Sequence, residues 1–204
     1  ERDAQYEALR KKNTEIIETA ALSDFLPSVR DNGVDYAQDD CDSLYRELEP
    51  TGTAFTTLVS VDMAAASDPI VATVLSKPGA VYASGEALYM SVIADEAQPI
   101  AAALPPSGAL IAPPPAERKL VSAIHKFSIG ADPKTPGYLA SGKVKGHVLN
   151  QFSMDEYKGH LRVATSWGKV PSPDVHSTIS VLSQLENKLM VVGMVDKIAP
   201  TTAS

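Results

Sequence analysis

Cysteine is almost absent from this chain of 204 residues: Cys41 stands alone. That excludes a disulfide within the chain and any zinc site built on cysteines. Long apolar runs are missing too. No stretch of about 18 apolar residues occurs, so the sequence offers no membrane-spanning helix. Positive charge is in the minority, with 18 Lys and Arg against 25 Asp and Glu, a net charge of -7. Such a balance disfavours non-specific binding to nucleic acid or to anionic lipid, both of which are polyanions. The sequence has no phosphate loop and no dinucleotide fingerprint. Ser84-Gly85 and Ser141-Gly142 read as turns, not as the Gly-x-Ser-x-Gly elbow of hydrolases. His125, His147, His160 and His176 are spaced too widely for a metal motif, and His-x-x-x-His is missing. No metal ligand, no catalytic residue and no cofactor site can therefore be named, and the ligand-binding residues stay unknown.

What is present is turn chemistry and apolar alternation. With 44% hydrophobic residues the chain can bury a substantial core, while 15 Pro and 12 Gly imply many turns and few long helices. Residues 1–22 form the one helix candidate. Tyr6, Leu9, Ile16, Ile17 and Ala20 fall near a 3.6-residue spacing among charged positions, and Pro27 closes the region by restraining Leu26. Residues 23–53 read as an irregular connection. Asp31-Asn32-Gly33 is a turn. Asp39-Asp40-Cys41-Asp42 is acidic but lacks the alternating EF-hand pattern, and its carboxylates disfavour a thiolate at Cys41.

Residues 54–204 read as all-β. Strands are expected at Phe55–Met63, Ile70–Leu75, Val81–Ser84, Ala87–Ala94, Ser122–Ile129, Tyr138–Leu149, Leu161–Thr165, Thr178–Leu185 and Leu189–Ile198. Short connecting turns make them antiparallel meanders. Lys134, Lys143, Lys145, Lys158, Arg162 and Lys169 alternate with apolar residues and read as a solvated face. Residues 95–118, with Pro105-Pro106 and Pro113-Pro114-Pro115, cannot hold a ladder and read as a proline-rich excursion loop.

Two parts of this region repeat. Leu88 aligns with Leu161, Phe127 with Leu182, and Val144 with Val195, at offsets of 73, 55 and 51 residues. The offset falls because the proline-rich loop lengthens only the first copy. Without that loop the period is roughly 45 to 50 residues and holds four strands, the pattern of a β-propeller blade. The expected fold is thus all-β: four-stranded antiparallel blades, two complete and half of a third, with a short N-terminal helix. A propeller closes with four to eight blades, so the blades expected here make an incomplete one.

Several stretches also carry a resemblance. They are Val81-Tyr82-Ala83-Ser84 with Leu88-Tyr89, Ile124-His125-Lys126-Phe127, and Gly142-x-Val144-x-Gly146 running through His147-Val148-Leu149-Asn150-Gln151-Phe152-Ser153-Met154-Asp155-Glu156-Tyr157. Leu161 to Thr165, Val192-Gly193 and Ile198-Ala199-Pro200 complete them. Together they resemble the secreted bacterial and archaeal β-propeller domain family distantly related to WD repeats. The resemblance implies an extracytoplasmic setting, at the cell envelope or outside the cell. It also implies a larger propeller, whose remaining blades come from the same precursor or another chain. The start at Glu1 without Met and the end at Ser204 agree with that expectation. The implied function is a non-catalytic binding or scaffold module for protein, peptide or polysaccharide. The alternative is part of a secreted hydrolase or lyase with its site at the propeller channel. Asp155-Glu156 is the one paired-carboxylate candidate, but it is read as part of a turn over residues 155–159, on which adjacent residues point apart. Asn150, Gln151 and Arg162 are expected to satisfy backbone groups between blades.

Overall fold

The computed structural model describes residues 2–21, 24, 28–36, 44–46, 54–64, 68–96, 119–129, 137–168 and 174–199. The acidic stretch around Cys41 and residues 97–118 of the proline-rich loop lie outside the described residues. The chain divides into two compact units, Glu1–Leu44 and Tyr45–Ser204.

In the first unit, helix α1 spans Arg2–Thr19 and buries none of its residues. Tyr6, Leu9, Ile16 and Ile17 are all exposed. A two-strand hairpin follows, β1 (Val29–Asp31) and β2 (Val34–Tyr36), with Asp31 opposite Val34. Its loop is Asn32-Gly33, at φ 47° and 82°. Two successive left-handed residues make the hairpin turn that matches strand twist, and Asn-Gly is the dipeptide that tolerates it best. Arg30 and Asp35 pair across the strands with two hydrogen bonds of 2.6 and 2.8 Å.

The second unit is built from strands. β3 (Leu44–Tyr45), β4 (Phe55–Ser60) and β5 (Ile70–Leu75) form a sheet in the order β3-β5-β4. Two four-stranded antiparallel meanders follow. The first is β6 (Ala80–Ala83), β7 (Ala87–Glu96), β8 (Lys119–Ser128) and β9 (Tyr138–Lys145). The second is β10 (Met154–Tyr157), β11 (His160–Trp167), β12 (His176–Leu185) and β13 (Lys188–Ile198). Antiparallel pairing of β7 with β8 continues to Glu96 opposite Lys119, so residues 95 and 96, expected in the proline-rich loop, belong to the ladder. The meanders touch edge to edge at one place, where β13 meets β9 in parallel at Lys188 and Ser141. Counted through that contact they make one eight-stranded sheet that folds back on itself, nearly closed like a barrel.

Sheet faces locate the core. Strand residues alternate between faces. On the first meander Tyr89 and Ile124 look toward the second, and meet Met154, Leu161, Val163 and Leu182 in one buried cluster. Met90, Val92 and Phe127 look the other way and pack with Val74 of β5 and with Leu58, Tyr45 and Tyr138. The first meander is thus covered on both faces.

Register confirms the repeat over the first three strands. Leu88 sits opposite Phe127 as Leu161 sits opposite Leu182, and Ser91 opposite Ile124 as Ala164 opposite Ile179. The fourth strand departs from the sequence alignment. Ile124 pairs with Gly142, whereas its counterpart Ile179 pairs with Val195, two residues beyond Gly193. Both ladders carry a bulge at the matching place, between Lys126 and Phe127 and between Val181 and Leu182, so the slip comes from the connection beyond it. Phe127 sits opposite Tyr138 and Leu182 opposite Val191, a path two residues shorter in the second meander.

Gly142 has a structural reason of its own. A Cβ there would lie 2.1 Å from the Leu189 carbonyl oxygen, at the join of β9 and β13. Gly142→Ala should therefore push the two meanders apart and lower stability by about 1–3 kcal/mol, read as a lower denaturation midpoint in urea. An unchanged midpoint would show that the join carries no strain.

Candidate functional site

Two places stand out between and upon the sheets: one gathers polar side chains, the other leaves apolar ones open. The first is the seam between the meanders. At the end of β9, the Lys145 ammonium lies 2.6 Å from Asp196 Oδ2 on β13 and 3.1 Å from His176 Nε2 on β12. Thr178 Oγ1 donates to Asp196 Oδ1 at 2.6 Å. His176 Nδ1 is 2.7 Å from the Asp174 carbonyl. A carbonyl only accepts, so Nδ1 carries a proton, and Nε2 lies between the Lys145 ammonium and Asp196 Oδ1, 3.2 Å away. Lys145 also sits 5.1 Å above the Trp167 ring. The hydrogen bond from Lys145, then that from Thr178, hold the Asp196 carboxyl well below the usual carboxylate range. The lysine is thus held by a carboxylate, an imidazole and an indole ring. The cluster neutralises charge and ties β9 to β12 and β13.

Further along the same seam Tyr89 donates its hydroxyl to Glu156 Oε2 at 3.2 Å, and the Glu156 backbone N–H donates to the Tyr82 hydroxyl at 3.0 Å. Burial, then the Glu156 charge, push the Tyr89 phenol up. Asp155 points the opposite way. It faces Arg162 across the β10–β11 ladder on the outer face and pairs with it through two hydrogen bonds, one of them 2.9 Å. The two adjacent carboxylates thus serve opposite faces of one strand. Arg162 contacts a side chain where a backbone partner was expected, and Asn150 Oδ1 accepts from the Phe152 N–H within the turn joining the meanders.

The histidines are dispersed. His125 is buried on β8 with Nδ1 3.0 Å from the Tyr138 hydroxyl. His147 forms an isolated bridge with Ser166, and His160 Nδ1 meets the Lys158 carbonyl at 2.9 Å. Among the described residues no group of three or more His, Cys, Asp or Glu could hold a metal ion, and no helix is long and apolar enough to cross a membrane.

The second place is the outer face of the second meander. Ile124 is wholly buried, yet its counterpart Ile179 is 42% exposed. Leu185, Met190 and Val195 are exposed on the same face. The pattern that closes one seam is repeated, and its second instance lies open.

The chain matches the beta propeller domain family over residues 3–203. It belongs to that family. An uncharacterized protein of Methanocaldococcus jannaschii (MJ1554) is 71% identical over 28 residues, 14% of this chain and 4% of that protein's length. No solved structure matches this propeller chain.

Burial pushes the His125 imidazole from its ordinary 6.5 down to about 4. The folded protein keeps it neutral while the unfolded chain takes up a proton, so stability rises with pH across that window. Stability should fall by about 3 kcal/mol from pH 7 to pH 4 on this account alone, and His125→Phe should flatten that part of the profile. Equal slopes in both proteins would contradict it. Arg162→Met should leave the melting temperature of this chain nearly unchanged, since its ion pair is half-exposed; a clear loss of melting stability would give the pair a structural role.

Proposed function

We propose that this propeller chain is a non-catalytic scaffold or binding module that offers the outer face of its second meander to a further β-sheet of protein. One observation carries the proposal: Ile124 and Ile179 hold the same register position, and only the first is covered. A sheet that is apolar on both faces must be packed on both, and each propeller blade buries its faces against its neighbours. The sheet that covers the second meander comes from the same polypeptide or from another chain. An extracytoplasmic setting belongs to the same proposal and is supported by the family resemblance.

The hydrolase or lyase reading has less behind it. Asp155 and Glu156 face opposite sides, and each is engaged, by Arg162 and by Tyr89. Lys145, His176 and Asp196 satisfy one another.

Replacing Ile179 and Val195 together by Lys should leave the melting temperature within about 3 °C and sharply reduce binding of an apolar fluorescent dye. Ile124→Ala should instead cost about 2–5 kcal/mol. The proposal fails if the double lysine variant unfolds like the core variant, or if its dye binding equals that of the parent.

A further inference from the structure

The proposal above says that a sheet covers the open face; the side chains there say what that sheet carries. This inference rests on that reading and adds the chemistry of the partner.

At the closed seam the first meander presents two phenols. Tyr89 donates to the Glu156 carboxylate, and Tyr82 accepts from the Glu156 backbone N–H. One residue of the incoming first strand is thereby held twice, by its side chain and by its main chain. Tyr82 and Tyr89 are directly opposed across β6 and β7.

The register places Asp155 and Arg162 at the corresponding opposed positions of the second meander. Their chemistry preserves both roles. Arg162 is a donor suited to a carboxylate, in the place of the Tyr89 hydroxyl. Asp155 is an acceptor suited to a backbone N–H, in the place of the Tyr82 hydroxyl. The bond to Asp155 uses Nε and Nη2 of Arg162. The guanidinium carries five N–H donors in all, so it can hold a second carboxylate at Nη1 while Asp155 keeps it in position. The pair is half-exposed in this chain, at 46% and 50%.

We infer that the outer face of the second meander receives a four-stranded antiparallel sheet whose first strand carries an acidic residue at the position Glu156 holds here. Its carboxylate pairs with Arg162 and its backbone N–H with Asp155. Apolar residues of the same incoming sheet cover Ile179 and Val195. An incoming strand with an uncharged or basic residue there leaves Arg162 desolvated without a partner beyond Asp155, and is rejected for that cost.

The second meander itself has the required residue, which supplies a probe. The full chain is extended after Ser204 by a duplicate of residues 146–199, and solvent access to the Ile179 methyl groups of the original copy is read by a soluble paramagnetic agent in NMR. In the extended chain the relaxation enhancement at Ile179 should fall at least fivefold, toward that of Ile124. Arg162→Glu in the original copy should restore the enhancement, and combining it with Glu156→Arg in the added copy should suppress it again. Ile124 should stay protected throughout, which shows that the parent fold is kept. If the added sheet leaves Ile179 fully accessible, the reading that the face accepts a sheet is overturned, and this inference with it. If Ile179 is protected and the charge reversal changes nothing, the face accepts a sheet but the acidic partner residue is overturned.

Discussion

The first meander is apolar on both of its faces, and that constraint governs the rest. A polar outer face lets a sheet end a protein against water; an apolar one demands another layer. The first meander shows the demand met twice. Met90, Val92 and Phe127 are buried toward β5, and Tyr89 and Ile124 toward the second meander. The polar groups at that second seam are consistent with close packing. Tyr89, Tyr82 and Glu156 satisfy one another, and Lys145, His176, Thr178 and Asp196 do the same further along. Buried polar atoms left without partners would cost more than the apolar contacts around them return.

The two clusters hold the seam in different ways. The tyrosine–glutamate contact joins residues 67 and 74 positions apart and fixes the first strand of one meander over the first hairpin of the other. The lysine–aspartate contact joins residues 51 positions apart and fixes β9 beside β13. Gly142 lets the backbones approach at that second edge. Contacts at such long sequence separation form late and at an entropic cost, so the local hairpins, closed by short turns such as Lys158-Gly159, are the elements positioned to form first.

Much of this was legible in the order of residues. Period-2 alternation marks the long strands, and the likeness of Leu88 to Leu161 and of Phe127 to Leu182 marks the repeat. Turn chemistry marks Asp31-Asn32-Gly33, but the three-residue strands on either side of it are too short to show a period and read as irregular. The last strand was less legible. Gly142 and Gly193 look equivalent in sequence, but the connection between the third and fourth strands is two residues shorter in the second meander, which puts Val195 in the place of Gly142. The Lys145, His176 and Asp196 cluster was hidden for a different reason: its members lie on three strands, each unremarkable locally, and only sheet stacking brings them together. Arg162 was read as a backbone partner because its own strand gives no sign that Asp155 lies opposite. Membership in the beta propeller domain family agrees with the repeat and leaves the chemistry of the open face to its own residues.

The account stands on the stacking of two copied meanders through a seam that the first copy's tyrosines share with the second copy's Glu156. Nuclear Overhauser contacts in solution test it most directly. Cross-peaks linking the ring protons of Tyr82 and Tyr89 to the backbone and side chain of Glu156 are the predicted result. Tyrosine rings that show contacts only within their own sheet, with none to β10, would contradict it.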